Sequence, residues 1–247
     1  MIRWTYAFID RPAGLFTEAA SFWSKATGTH LTARRGERAE FATLLPIGAD
    51  PCLKVQAVGD GGGAHLDFAV DDVAALAGRA RELGAAVVGE HATFTVLRSP
   101  GGLPFCAVPW QDEFRRPMAQ AAPDGALSRL DQVCVDVGPD AYDAEVSFWG
   151  ELTGWGAYPG SRPEFHVVEQ PAELPVRILL QRLREQRPTS AHLDLACSEI
   201  EGVRAWHEKL GATHVADGAR WVVMRDPAGG VYCLTARDPK TGGLPGR

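Results

Sequence analysis

The stretches SFWSKATG (residues 21–28) and SFWGELTG (residues 147–154) stand 126 residues apart and share their first three and last two letters. Working outward from them, the chain repeats itself almost without gaps. Backwards, TYAFID (5–10) lies over the start of DQVCVDV (131–137), which sets Tyr6 over Gln132 and Asp10 over Asp136. Forwards, EFATLLPIG (40–48) lies over EFHVVEQPA (164–172), and CLKVQ (52–56) over RILLQ (177–181), with Gln56 over Gln181. AHLDFAV (64–70) then matches AHLDLAC (191–197), and LRSPGGLPFCAV (97–108) matches MRDPAGGVYCLT (224–235). The offset drifts by only a residue or two, so the chain is a tandem duplication.

A finer repeat lies inside each half. TYAFID reads as extended, and FTEAASFWSKATG has apolar residues at helical spacing and closes on Gly28. Short extended stretches follow near 29–34, 40–46 and 52–58. AHLDFAV begins the pattern again, with a helix in DDVAALAGRARELGA, acidic at its start and ended by Gly84, then AAVVGE, FTVLRSP and LPFCAVP. The unit is β-α-β-β-β, and four copies fall near 1–58, 62–110, 128–184 and 189–236. The expected fold class is α+β: two tandem domains, 1–110 and 129–238, joined by a polar, Pro-containing linker at 111–128 and followed by a tail at 239–247.

Composition fits this plan. The 247 residues are 45% hydrophobic and 23% charged, enough for two domains of about 100–150 residues, each with a core. A formal charge of −6 with no cluster of Lys and Arg argues against a nucleic-acid partner. No apolar run reaches membrane-spanning length, and MIRWTYAFID reads as a first strand rather than a signal. Five widely spaced cysteines without C-x-x-C read as free thiols of a cytoplasmic protein.

The β-α-β-β-β unit, the helix ending FW-x3-TG, the H-L-D strand and the turn R-[SD]-P-x-G-x2-[FY]-C together resemble the vicinal oxygen chelate superfamily. The nearest branch is the glyoxalase-like one, which also takes in bleomycin-resistance proteins and extradiol dioxygenases. The resemblance implies two half-open β-barrel domains, each a cup able to hold a divalent metal, with ligands on the first and last strands of each module. Alternation along AHLDFAV places His65, Asp67 and Ala69 in the cup, and Leu66, Phe68 and Val70 on the opposite face. The same parity places His192 and Asp194 in the second cup.

The family's final ligand is a carboxylate four residues after the turn glycine. Here those positions are Cys106 and Cys233, so both carboxylates are missing. The inherited set reads Tyr6, Gln56 or a near neighbour, His65 and Cys106 in the first domain, and Gln132, Gln181 or a near neighbour, His192 and Cys233 in the second. The resemblance thus implies a metal set of Gln132, His192, Cys233 and Gln181, with Zn, Ni, Fe or Mn as the candidate ion and no organic cofactor. His192 and Asp194 are the candidate catalytic residues. Tyr6, Phe8, His65, Asp67, Cys106 and Tyr232 are the candidate substrate-binding residues.

Each has a plainer reading. The two H-x-D histidines fit buried side chains satisfied by their aspartates, and the cysteines fit small core residues. The aromatic residues of SFW belong in a core, where they pack a helix onto its sheet. Asp10 and Asp136 suit loop capping at strand ends, and His30, His91, His166, His207 and His214 suit the surface. Three functions stay open: a metal-dependent lyase or isomerase acting on a small oxygenated substrate, a metal-free protein that sequesters an antibiotic or metabolite, and a dioxygenase-like or inactive pseudo-enzyme. The expected partner is a small molecule, with the chain either a pseudo-dimeric monomer or a homodimer.

Overall fold

The computed structural model describes residues 1–244; the last three residues of the expected tail lie outside them. The first half runs β1 (Ile2–Pro12), a 3-10 turn, α1 (Phe16–Thr27), β2 (His30–Leu31), β3 (Phe41–Leu45) and β4 (Leu53–Val58), then β5 (Gly63–Val70), α2 (Val73–Glu82), β6 (Ala86–Glu90), β7 (Thr95–Arg98) and β8 (Pro104–Pro109). After a two-residue strand, β9 (Gln120–Ala121), the second half repeats the order. It runs β10 (Leu127–Val137), α3 (Tyr142–Thr153), β11 (Gly156–Pro159), β12 (Phe165–Glu169), β13 (Arg177–Arg182), β14 (Ser190–Cys197), α4 (Ile200–Lys209), β15 (Thr213–Asp217), β16 (Trp221–Arg225) and β17 (Val231–Thr235). Four β-α-β-β-β modules are therefore present, as the pattern predicts.

The strands form two mixed sheets, ordered β2-β3-β4-β1-β5-β8-β7-β6 and β11-β12-β13-β10-β14-β17-β16-β15, with β9 beside β10. Each sheet has two free end strands, so neither closes into a barrel. The stretch expected to be extended over 29–34 is a strand only at His30–Leu31. The charged run that follows it is largely exposed and offers no apolar face to hold further pairing. The segment expected as a bare linker is partly built in: Ala121 and Ser128 take part in the β9–β10 pairing, and Glu113 is buried.

The repeated TG of the opening motif has a local cause. Thr27 Oγ1 donates to Trp23 O at 2.6 Å and Thr153 Oγ1 to Trp149 O at 2.7 Å, tying each last turn to the carbonyl four residues back. Gly28 and Gly154 then take left-handed φ of 62° and 69°, which ends the helix without the clash a Cβ would bring.

Packing divides the chain into two compact units that cut across the repeat. One holds Met1–Ala7, His65–Phe114 and Val133–Ala191; the other holds Phe8–Ala64, Arg115–Gln132 and the chain from His192 onward. The SFW aromatics are core residues in both, but against the other repeat's strand. In the first unit Trp149 lies 5.2 Å from Phe105 and 6.1 Å from Phe68. In the second, Trp23 lies 5.1 Å from Tyr232, and Phe22 lies 5.5 Å from His207. Periodicity specifies which helix face is buried, not which sheet covers it.

The indole N–H groups of Trp149 and Trp23 need acceptors, and each finds a buried carboxylate. Trp149 Nε1 donates to Glu145 Oε2 at 2.8 Å, one helical turn back, and Gly101 N donates to Glu145 Oε1 at 2.6 Å. Trp23 Nε1 donates instead to Asp226 Oδ2 at 2.9 Å, an oxygen that also takes Arg11 Nη2 at 2.5 Å. In the alignment Glu145 lies over Ala19, and Asp226 over Ser99. The duplicated halves keep the tryptophan but draw its acceptor from different places. Burial raises the pKa of Glu145, whereas Asp226 has a guanidinium beside it.

His207, expected at the surface, is fully buried. Its Nδ1 pairs with Tyr232 Oη at 2.9 Å. It sits on the inward stripe of α4 with Val203, and a single-chain reading of histidine as polar overlooked that helical position.

Candidate functional site

Two similar polar clusters stand on the sheets, one in each unit. In the unit containing His192, strands β14 and β17 run parallel, and Asp194 is the register partner of Cys233. His192 lies two residues before Asp194 and so projects from the same face. The metal-ligating atoms of His192, Asp194 and Cys233 all lie within 4.8 Å of one another. His192 Nε2 is 3.3 Å from Asp194 Oδ1. Gln132, from β10, donates through Nε2 to Asp194 Oδ2 at 2.6 Å. Among the described residues, the buried Asp194 Oδ1 accepts no hydrogen bond.

The unit containing His65 repeats the geometry. Strands β5 and β8 are parallel with Asp67 opposite Cys106, and the ligand atoms of His65, Asp67 and Cys106 again fall within 4.8 Å. His65 Nε2 stands 3.7 Å from Asp67 Oδ1. The opposite face of β5 enters the core, where Phe68 meets Phe105 edge-on at 6.2 Å. The alternation read from AHLDFAV is thus the alternation observed.

Tyr6, the counterpart of Gln132, is buried and donates its hydroxyl hydrogen bond to Glu113. Sequence reasoning missed Glu113 because it falls in a segment without strand or helix pattern. The available signal was the pair of acidic residues bracketed by aromatics in WQDEF (110–114).

The remaining candidates are placed as follows. Phe8 meets Phe41 edge-on at 6.4 Å, and Lys54 Nζ lies 5.3 Å from its ring centre. Gln56 is the register partner of Phe41. Gln181 accepts from Cys134 Sγ at 3.7 Å. Tyr232 is a correction: it is fully buried among Trp23, Phe22 and His207. Its neighbour Cys233 takes the site face, so strand alternation turns Tyr232 into the core and out of the substrate-binding set.

The donor chemistry of these clusters fits a divalent cation. An imidazole nitrogen, a carboxylate oxygen and a thiolate sulfur carry two negative charges together, and each is an established ligand. Such donors approach one another to about 3–4 Å around a tetrahedral ion, a small contraction from the observed spread. The soft thiolate favours Zn²⁺, Ni²⁺ or Fe²⁺ over the harder Mn²⁺. Gln132 orients the aspartate by donating to its Oδ2. By contrast, burial pushes the Cys52 thiol up to about 12 and also raises Cys197, so those two behave as core residues.

Known proteins place this geometry in a family. The profile of one family, described as a glyoxalase-like domain, matches residues 7–108 and again 132–235. No curated protein sequence matches the chain. Among solved structures, the Mn(II)-bound glyoxalase from Novosphingobium aromaticivorans is similar at 17% identity and a TM-score of 0.69, over 97% of this chain and 82% of that one. The 2,2',3-trihydroxybiphenyl 1,2-dioxygenase from Sphingomonas wittichii strain RW1 is similar at 16% identity and a TM-score of 0.65, over 95% and 90%. The 2,3-dioxygenase LapB from Pseudomonas sp. KL28 gives 14% and 0.63, over 93% and 90%. At these identities the likeness is one of fold. With the family profile matched in both halves, the chain belongs to the glyoxalase-like branch of the vicinal oxygen chelate superfamily, as two domains in tandem.

Proposed function

We propose that the chain is a metal-dependent lyase or isomerase acting on a small substrate with neighbouring oxygens, with its reacting site at His192, Asp194, Cys233 and Gln132. The observation that supports this reading is Asp194 Oδ1, a buried carboxylate oxygen without a hydrogen bond beside an imidazole and a thiol. A buried anion in that position is costly unless something positive, or a proton, meets it.

His192 Nε2 and Cys233 Sγ would hold the ion, and a bound divalent ion would supply Lewis-acid polarisation of the substrate's oxygens. Asp194 would act as the general base. Gln132 fixes Oδ2, so Oδ1 is the oxygen left to accept a proton from the substrate carbon and to return it at the neighbouring position. Gln181, named with this set from sequence, enters the proposal only as a further polar group through Cys134.

Two alternatives are less well supported. Sequestration of a planar ligand drew on Tyr6, Phe8, Phe105 and Tyr232, but Phe105 and Tyr232 are core residues packed on helices. Ring-cleaving dioxygenase chemistry needs two histidines and a carboxylate on iron, and each cluster here supplies one histidine. The test is metal content after purification without chelator, compared with His192→Ala and Asp194→Asn. Bound divalent ion in the native chain and its loss in His192→Ala supports the reading. Equal metal content in all three, or none in any, overturns it.

A further inference from the structure

Between α2 and the hairpin joining β6 to β7 lies a groove of about 310 Å³. Its lining residues all fall within the segment His65–Phe114 of one compact unit, and the proposed reacting site uses none of them. Ala74, Ala77 and Arg81 line one wall, at the spacing that sets them along one helix face. Glu90, His91 and Phe94 line the other. The imidazole of His91 stacks on the Phe94 ring, with centroids 4.2 Å apart and planes 10° from parallel. His91 N donates to Phe94 O at 2.9 Å and closes the turn that holds the stack. His91 is itself exposed, which leaves its outer face to a further ring. Arg81 Nη1 stands 3.9 Å from Glu90 Oε1, with both side chains more than half exposed. A solvated pair at that range is worth little, and a carboxylate that meets the guanidinium fork with two oxygens replaces it favourably.

The duplicated half makes a different choice at the same positions. Ala74, Ala77 and Arg81 lie over Glu201, Arg204 and Glu208, and His91 lies over Gly218. There Arg204 pairs along its own helix, with Glu208 at 2.9 Å and with Glu201 at 3.9 Å. In the first half, two alanines give room, His91 gives a ring, and the cation has no acidic neighbour on its helix face. We propose that this groove is a second small-molecule site and takes an aromatic monocarboxylate, its ring stacked on His91 and its acid on Arg81. Glu90 is the group that the acid displaces. The volume stands at the lower end of ligand pockets, about 300–1,000 Å³, and suits one ring with one acid.

The inference uses neither the metal nor His192, so the test is run in EDTA. The probe is 4-fluorobenzoate, followed by fluorine NMR, with 4-fluorobenzylamine as the ligand of opposite charge. The 4-fluorobenzoate signal should broaden saturably and recover when unlabelled benzoate is added, and 4-fluorobenzylamine should bind more weakly. Arg81→Gln should weaken binding by about tenfold, the effect of losing a hydrogen bond to a charged group. His91→Ala should weaken it by about three- to tenfold, the worth of a ring pair. Glu90→Gln should tighten it by about two- to fivefold, because a competing surface ion pair is gone. These side chains are exposed, and circular dichroism reports that each variant is folded. Binding should persist in His192→Ala. Absent saturation, equal affinity in folded Arg81→Gln, weaker binding in Glu90→Gln, or loss in His192→Ala overturns the proposal. Absence of metal at His192 leaves this result untouched, so the two readings fail separately.

Discussion

His207 predicts how the protein loses stability in acid. Burial lowers its pKa from 6.5 to about 4, and its Nδ1 is engaged by Tyr232 Oη at 2.9 Å. The depressed value means that the unfolded chain binds a proton the folded chain refuses. The resulting stability is complete above pH 6.5 and is lost as the pH falls toward about 4. Linkage over that interval gives a total on the order of 3 kcal/mol, of which about 2 kcal/mol is lost by pH 5. The perturbation is His207→Gln, which keeps a hydrogen-bonding group near Tyr232 and cannot titrate. Urea unfolding of both proteins at pH 7.5, 6, 5 and 4.5 isolates the histidine, because other titrating groups cancel in the difference. Native stability should fall relative to His207→Gln by about 2 kcal/mol between neutrality and pH 5. Parallel pH profiles for the two proteins would refute the reasoning, since a solvated or paired histidine gives no such difference.

Other outcomes follow from the two tryptophan acceptors and the thiols. Asp226→Ala leaves Arg11 buried without its anion and Trp23 without its acceptor; it should cost about 3–5 kcal/mol in urea unfolding, and a cost below 1 kcal/mol would contradict the pairing. Glu145→Gln turns an amide N–H toward Trp149 Nε1 or Gly101 N and should destabilise at pH 5, and burial raises the pKa of the carboxyl it removes. Since the folded value exceeds the unfolded one, the stability it confers is lost as pH rises, so Glu145→Gln should gain on the native chain from pH 5 to pH 8; the opposite slope refutes the assignment. Cys52 and Cys197, with thiol pKa values raised by burial, should resist a thiol reagent until the protein unfolds. Rapid labelling of either in native protein would place it at a surface.

Much of this architecture was legible in the letters because it follows from local rules applied twice. Helix ends were marked by Gly28 and Gly154, and strand faces by the alternation in AHLDFAV and AHLDLAC. Parity brought His65 beside Asp67, and His192 beside Asp194, before any tertiary contact was needed. The partners of those elements were not legible. Phe22 and Trp23 pack under Tyr232 from the fourth module, and Phe148 and Trp149 under Phe105 from the second, and nothing in a helix's own period names the sheet it will cover.

The polar residues were missed for related reasons. Glu145, Asp226 and Glu113 each serve a donor distant in sequence or hidden in a core: Trp149, Trp23 with Arg11, and Tyr6. The signs were local breaks in the repeat, such as Asp226 over Ser99 and Glu145 over Ala19. Tyr232 was misplaced by its resemblance to a cup aromatic, although the alternation that turns Cys233 toward the site turns Tyr232 away.

The paired donors His192 and Cys233, with Asp194 beside them as base, are the centre of the account, and cobalt substitution tests them most directly. Co²⁺ added to metal-free protein carrying Cys106→Ser, which leaves the first cluster without its thiol, should bind at this cluster and give a near-ultraviolet sulfur-to-metal charge-transfer band. The band should disappear when Cys233→Ser is added, while Cys52→Ser leaves it unchanged. A bound cobalt spectrum without that band, or one indifferent to Cys233→Ser and His192→Ala alike, would contradict the proposed centre.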